Sequence, residues 1–199
     1  MEFTNEFTMD APIADVWSAL IDVESIAPCV PGFQLTSADG DEYRGELKVR
    51  VGAVVAAYRA VIRLKELDSD AYRAVMTAEG SELRGQGSVG ATVTSSLTTT
   101  EDAGTKVSLV TELDVTGRVA QMGRGILEEV SKKQIRQFAD CLEARFEADR
   151  AAHARGDSEA PRAFPPAEAK PVNVLGVGFM AVLRWLSPRR LVRALRRRQ

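Results

Sequence analysis

The chain has 199 residues, 45% of them hydrophobic, which suits one globular domain plus an appendage rather than several domains. Its formal net charge of −2 hides an asymmetry: residues 1–160 carry 17 Lys+Arg against 27 Asp+Glu, and residues 161–199 carry 9 against 1. Two cysteines, Cys29 and Cys141, are too few and too far apart in sequence for a disulfide scaffold or a metal cluster, and are expected as reduced thiols in the packing.

The opening residues Met1–Phe7 have no basic stretch leading into an apolar one, so the body is expected to stay in the cytoplasm. Phe3, Phe7 and Met9 recur among Glu2, Thr4, Glu6 and Thr8, the alternation of a half-buried strand. Asp10-Ala11-Pro12 then reads as a helix start with Asp10 as cap, and Ile13, Val16, Trp17 and Leu20 form one apolar stripe. A second short helix over Val23–Ala27 is stopped by Pro28, and Pro31-Gly32 turns into the next strand.

From Phe33 to Val115 the pattern is strand and turn. Tyr43, Leu47, Val49 and Val51 alternate with Arg44, Glu46, Lys48 and Arg50, and Tyr58, Ala60, Ile62 and Leu64 alternate with a partly basic series. Residues 67–70 and 101–104 are polar hairpin turns. Tyr72, Ala74 and Met76 follow the first, and Val107, Leu109, Thr111, Leu113 and Val115 follow the second. Between these turns, Gly80, Gly85, Gly87 and Gly90 are expected to punctuate one long strand and let it bend. From Val119 to about Arg150 the period becomes that of a helix, with Val119, Met122, Ile126, Val130, Phe138, Leu142 and Phe146 on one face. A curved antiparallel sheet gripping this helix, an α+β arrangement, is the simplest closure, because both apolar faces must be covered.

Residues 151–173 mix Ala, Pro and charge without periodicity, as a flexible tether would. The last segment, 174–199, is apolar and cationic. Val174, Leu175, Phe179, Met180, Leu183, Trp185 and Leu186 are joined by Arg184, Arg189, Arg190, Arg193, Arg196 and Arg197. Its apolar run meets Arg184 too early to span a bilayer, which takes about 20 residues, so it is expected to lie in an anionic membrane interface. Nucleic-acid binding would use the arginines but not the Leu, Phe and Trp content; a helical hairpin packed on the body is a third reading.

No catalytic constellation emerges. The single histidine, His153, falls in the tether, and no nucleophile triad or zinc spacing can be assembled. Gly85-Gln86-Gly87-Ser88-Val89-Gly90 has the form of a dinucleotide fingerprint but lies in a strand-rich stretch and opens no helix. Alternation alone places Phe33, Leu47, Val49, Tyr58, Met76, Val93, Leu113, Met122 and Ile126 around a space between sheet and helix, with ordinary core packing as the alternative for each.

Residues 1–150 resemble the CoxG proteins, known from carbon monoxide dehydrogenase systems, of the START-like (SRPBCC, helix-grip) superfamily. The resemblance rests on Ala11-Pro12 before Val16-Trp17, on Asp22 with Ile26-Ala27-Pro28-Cys29-Val30-Pro31-Gly32, and on Tyr43-Arg44-Gly45. It continues through Lys48-Val49-Arg50-Val51-Gly52, Gly85-Gln86-Gly87, Gly104-Thr105 and Gly117-Arg118-Val119-Ala120. It implies a seven-stranded helix-grip domain with an apolar cavity, no catalytic centre and no metal. The implied role is service to a molybdenum CO dehydrogenase or related hydroxylase at the cytoplasmic face of the membrane.

Three readings follow. The protein is a peripheral carrier of a respiratory quinone such as menaquinone, or another isoprenoid lipid; it is a recruitment adaptor without a ligand; or it is a superfamily enzyme, which would need ionisable residues facing inward. No nucleic-acid partner is expected. Deleting residues 171–199 should abolish sedimentation with anionic vesicles while leaving the domain soluble and folded. Equal sedimentation of both forms would refute the membrane role of the tail.

Overall fold

The structure is a computed structural model, described here over residues 1–154. Strand β1 (Glu2–Met9) leads into helices α1 (Ile13–Ile21) and α2 (Val23–Ile26), followed by a single 3-10 turn at Ala27–Cys29. Six strands follow: β2 (Phe33–Asp39), β3 (Glu42–Val51), β4 (Val54–Asp68), β5 (Arg73–Glu82), β6 (Ser88–Thr99) and β7 (Thr105–Val115). A second 3-10 turn, Ala120–Met122, precedes the long helix α3 (Arg124–Ala154). The seven strands form one antiparallel sheet in the order β1-β7-β6-β5-β4-β3-β2. This is the helix-grip arrangement the alternation implied.

Local chemistry explains most boundaries. Asp22 closes α1 and caps α2, its carboxylate accepting from the Ser25 N–H at 3.1 Å and the Ser25 hydroxyl at 2.6 Å. Asp10 does not cap α1: Pro12 holds that position without a side-chain bond, and the Asp10 carboxylate faces Arg150 instead. Gly85 (φ +72°) and Gly87 (φ +150°) break the expected long strand into the β5–β6 hairpin, since side-chain-bearing residues rarely adopt such angles.

The expected helix from Val119 also begins later. Gly123 (φ +80°) separates the 3-10 turn from α3, which then runs past the expected boundary at 150 to Ala154. The remainder of the tether and the whole membrane-binding series, Val174 to Arg197, lie outside the described residues.

Helix α3 packs along β1 and against the Ala27–Cys29 turn. Its far half joins a core with Met9, Val16, Trp17, Ile26, Leu97 and Val107, in which Phe138 meets Phe7 edge-on at 6.1 Å and Leu142 is fully buried. Its near half packs Leu127 and Val130 against Phe3, Val51, Ala56 and Tyr58. Polar bonds fix it in place: Asn5 donates to the Ser131 hydroxyl at 3.0 Å, and Arg145 donates to the Ser25 carbonyl.

The cysteines correct the sequence reading. Cys29 and Cys141 form a disulfide with Cα atoms 5.5 Å apart, tying the 3-10 turn to α3 across 112 residues of sequence. They are far apart only along the chain, because α3 returns over the turn after α2. Closing so long a loop restricts the unfolded chain strongly, so Cys29→Ser should cost about 2–5 kcal/mol in urea unfolding, and a reductant should reproduce that shift in the parent protein. Unchanged midpoints would show that the crosslink contributes nothing.

Candidate functional site

The register of the sheet sets the inner face row by row. One row runs Ala60–Gly80–Val89–Val115, the next Ile62–Ala78–Ala91–Leu113, and a third Leu64–Met76–Val93–Thr111–Phe3. Ala78, Gly80 and Ala91 in the middle strands put little side-chain volume on this face. Ile62, Met76, Ala78, Ala91, Val93, Thr111 and Leu113 are only half-buried, whereas Phe3, Tyr58 and Leu109 around them are buried. Through all seven strands the inner face has one carboxylate and no lysine or arginine. The carboxylate is Glu82 at the rim, which accepts backbone N–H bonds from Arg84 and Gln86 at 2.7 and 3.2 Å.

Of the residues expected around the site, Leu47, Val49, Tyr58, Leu113 and Met122 come together in one apolar cluster. Phe33 packs with Ala60 and touches the same Leu47. Val93 belongs to the core at the other end, and Met76 sits half-buried beside it on β5. Ile126 is 44% exposed, and Leu127 takes the buried place. The other positions counted from Val119, namely Met122, Val130, Phe138 and Leu142, do pack inward. Phe3, Val89, Val119, Leu127 and Val130 are among the other members of the cluster.

Tyr58 is the polar member. Its ring is buried over Gly80, where a Cβ would lie 3.3 Å from Tyr58 Cβ. Burial, and secondarily the charge of Glu82, push its phenol above the ordinary range. It therefore stays a neutral hydroxyl at physiological pH, and no hydrogen bond to it forms among the described residues. A crevice of about 20 Å³, room for a single water, opens beside it between Val54, Ala56, Glu82, Arg84, Arg118 and Val119. A larger depression of about 580 Å³ is lined by Glu2, Glu79, Thr92, Glu112 and Asp114, side chains of the opposite, outer face, and does not belong to this site.

The rim of the crevice is tightly built. Gly117 (φ +75°) lets the strand leaving β7 pass the β5–β6 hairpin, since a Cβ there would meet the Gln86 carbonyl oxygen at 1.8 Å.

A protein-family model for the G subunit of carbon monoxide dehydrogenase (CoxG) matches residues 6–147. The chain belongs to the CoxG family. No curated protein matches it. Among solved structures, this CoxG-family chain is similar to a conserved protein from Geobacillus kaustophilus, at TM-score 0.67 and 23% identity over 74% of this chain and 96% of that one. It is also similar to the ZhuI aromatase/cyclase from Streptomyces sp. R1128, at TM-score 0.54 and 16% identity over 78% and 98%. A protein from Thermus thermophilus follows at TM-score 0.52 and 14% identity over 72% and 98%. At these identities the neighbours establish the shared fold.

Sequence reasoning missed Gln134. Its Oε1 is buried with no hydrogen-bond partner among the described residues, on the α3 stripe that also carries Ser131 and Phe138. No periodicity argument marks a glutamine as inward. An unmet acceptor there costs about 1–3 kcal/mol unless a water or ligand supplies the donor. Gln134→Leu should therefore raise the stability of the ligand-free protein by about 1 kcal/mol in urea unfolding. A loss of stability would mean that the amide is satisfied.

Proposed function

We propose that this protein is a non-catalytic accessory of a molybdenum CO dehydrogenase, or a related hydroxylase, that takes up an apolar ligand between the sheet and the first half of α3. The ligand is a respiratory quinone such as menaquinone, or another isoprenoid lipid, carried between membrane and enzyme. The observation that carries this reading is the inner face itself: apolar through seven strands, low at its centre, half-buried there, and with its lone carboxylate engaged in a turn. Acid–base catalysis needs a positioned ionisable group; here the one carboxylate, Glu82, accepts backbone N–H bonds in a turn and the Tyr58 phenol stays neutral.

The residues fit such a ligand in kind. Leu47, Val49, Leu113, Met122 and Val130 would cover an isoprenoid chain, each buried methylene contributing about 0.8 kcal/mol. The Tyr58 hydroxyl would donate to a quinone carbonyl. Because that phenol is held above its ordinary range, retention should not vary between about pH 6 and 9. The crevice beside Tyr58 is smaller than a quinone ring, so uptake requires an opening of the apolar cluster around it, which Met122, Leu127 and Val130 close from the helix side. Gly123 and Gly125 supply freedom there: nothing lies within 4 Å of a Cβ built on either. The same small crevice favours the second reading, an adaptor whose interior is filled by its own side chains. In both readings the protein works at the cytoplasmic face of the membrane.

Native mass spectrometry with organic extraction, on protein purified from its own kind of host, should reveal a co-purifying isoprenoid quinone. Tyr58→Phe and Met122→Glu should each lower its occupancy without unfolding the domain. An empty parent protein that also fails to bind quinone on titration would leave the adaptor.

A further inference from the structure

The outer face of β3, β4 and β5 is charged from end to end, but its two ends differ. Toward the β2–β3 turn the charges are paired: Arg63 with Glu42 at 2.8 Å and Glu79 at 3.3 Å, Arg44 with Glu42, and Arg73 with Glu66 at 2.9 Å. Toward the β3–β4 turn they are not. The register sets Lys48 opposite Ala57 and Arg50 opposite Val55. Leu83 donates its N–H to Ala57 at 2.8 Å and so continues the first of these rows. The row before them holds Glu46, Arg59 and Ser81, with Glu46 the one carboxylate. None of Lys48, Arg50, Arg59 and Arg84 makes a salt bridge among the described residues. Within this cationic frame, Val55 is 63% exposed and Leu83 44% exposed.

We propose that this corner, with Val55 and Leu83 framed by Lys48, Arg50, Arg59 and Arg84, is a docking surface on the folded domain for an anionic lipid bilayer. Two aliphatic side chains beside turns at one end of a sheet can enter the interfacial layer, while long basic side chains reach the phosphates around them. That apolar area is far smaller than the roughly 1,000 Å² of a stable protein interface, and a bilayer requires no matching shape. The corner also adjoins the ligand site: Val55 and Arg84 line the crevice beside Tyr58. Docking here turns the mouth of the crevice toward the lipid. The inference deepens the carrier reading and goes beyond attachment through the tail: the corner orients a domain that the tail holds at the membrane, and is too small to hold it there without the tail.

The full-length protein tests it. Ala53→Cys, in the β3–β4 turn, takes an environment-sensitive dye, with Ala38→Cys beside the β2–β3 turn as control; Cys29 and Cys141 are bonded to each other and do not compete. On vesicles of phosphatidylcholine and phosphatidylserine, the dye at position 53 should report an apolar surrounding and the dye at position 38 should not. Arg50→Glu/Arg59→Glu/Arg84→Glu should abolish that signal, each lost cation weakening contact about five-fold, while sedimentation through the tail persists. Val55→Ser/Leu83→Ser, which leaves every charge in place, should lose it too.

Dye at position 53 that stays aqueous on vesicle-bound protein would overturn the proposal. So would a signal indifferent to both variants, or one produced by an acidic protein and not by vesicles. Extraction of the same samples separates the two claims: a signal at position 53 with no isoprenoid bound keeps the docking surface and removes the carrier.

Discussion

Helix α3 has to cover an apolar sheet face that it does not chemically match along its whole length, and the rest of the structure follows from how that cover is fastened. At the far end the attachment is thorough. Phe138 and Leu142 are buried, the Cys29–Cys141 bond ties the helix to the turn after α2, and Arg145 reaches the Ser25 carbonyl. At the near end it rests on Leu127 and Val130, and on Arg124, which stacks over Phe3 at 6.0 Å and donates to the Glu2 carbonyl at 3.1 Å, just after a glycine in a left-handed conformation. One helix thus has a fixed half and a lightly held half, and the proposed ligand site lies under the second.

This division also accounts for where polar atoms are tolerated. Asn5 and Ser131 satisfy each other at the junction between the halves. One turn further along, Gln134 Oε1 has no partner among the described residues, and Tyr58 presents a neutral hydroxyl from the sheet. The buried, unpartnered Gln134 Oε1 is destabilising by itself, and its survival in an otherwise apolar interior is the pattern expected where a ligand or ordered water completes the bonding.

The strands were legible because each has one face inward and alternates accordingly. Tyr58, Leu47, Val49 and Leu113 share one inward cluster, the side of the sheet that alternation alone assigns them. Reading failed where the fold depends on something alternation does not carry. Ile126 and Leu127 lie four and three residues before Val130, so periodicity allows either inward, and the structure buries Leu127 and leaves Ile126 exposed. The pairing of Cys29 with Cys141 depends on α3 returning over the turn after α2, a long-range fact that spacing conceals. Asp10 looked like a cap, yet Arg150, from the far end of α3, engages it instead. The docking corner was equally hidden, because it appears only when the register sets Lys48, Arg50 and Arg59 beside Val55 and Leu83.

The contact between Gly117 and the Gln86 carbonyl has a mechanical consequence. The two chain segments that form one lip of the crevice are in backbone contact, with no side chain between them to yield. A bond from Ser88 N–H to the Thr116 hydroxyl at 2.8 Å binds them further. That lip behaves as a fixed jaw. If the site opens for a ligand, the yielding side would therefore be the start of α3, with Gly123 as a joint and the disulfide, near the other end of the same helix, limiting how far that start could travel.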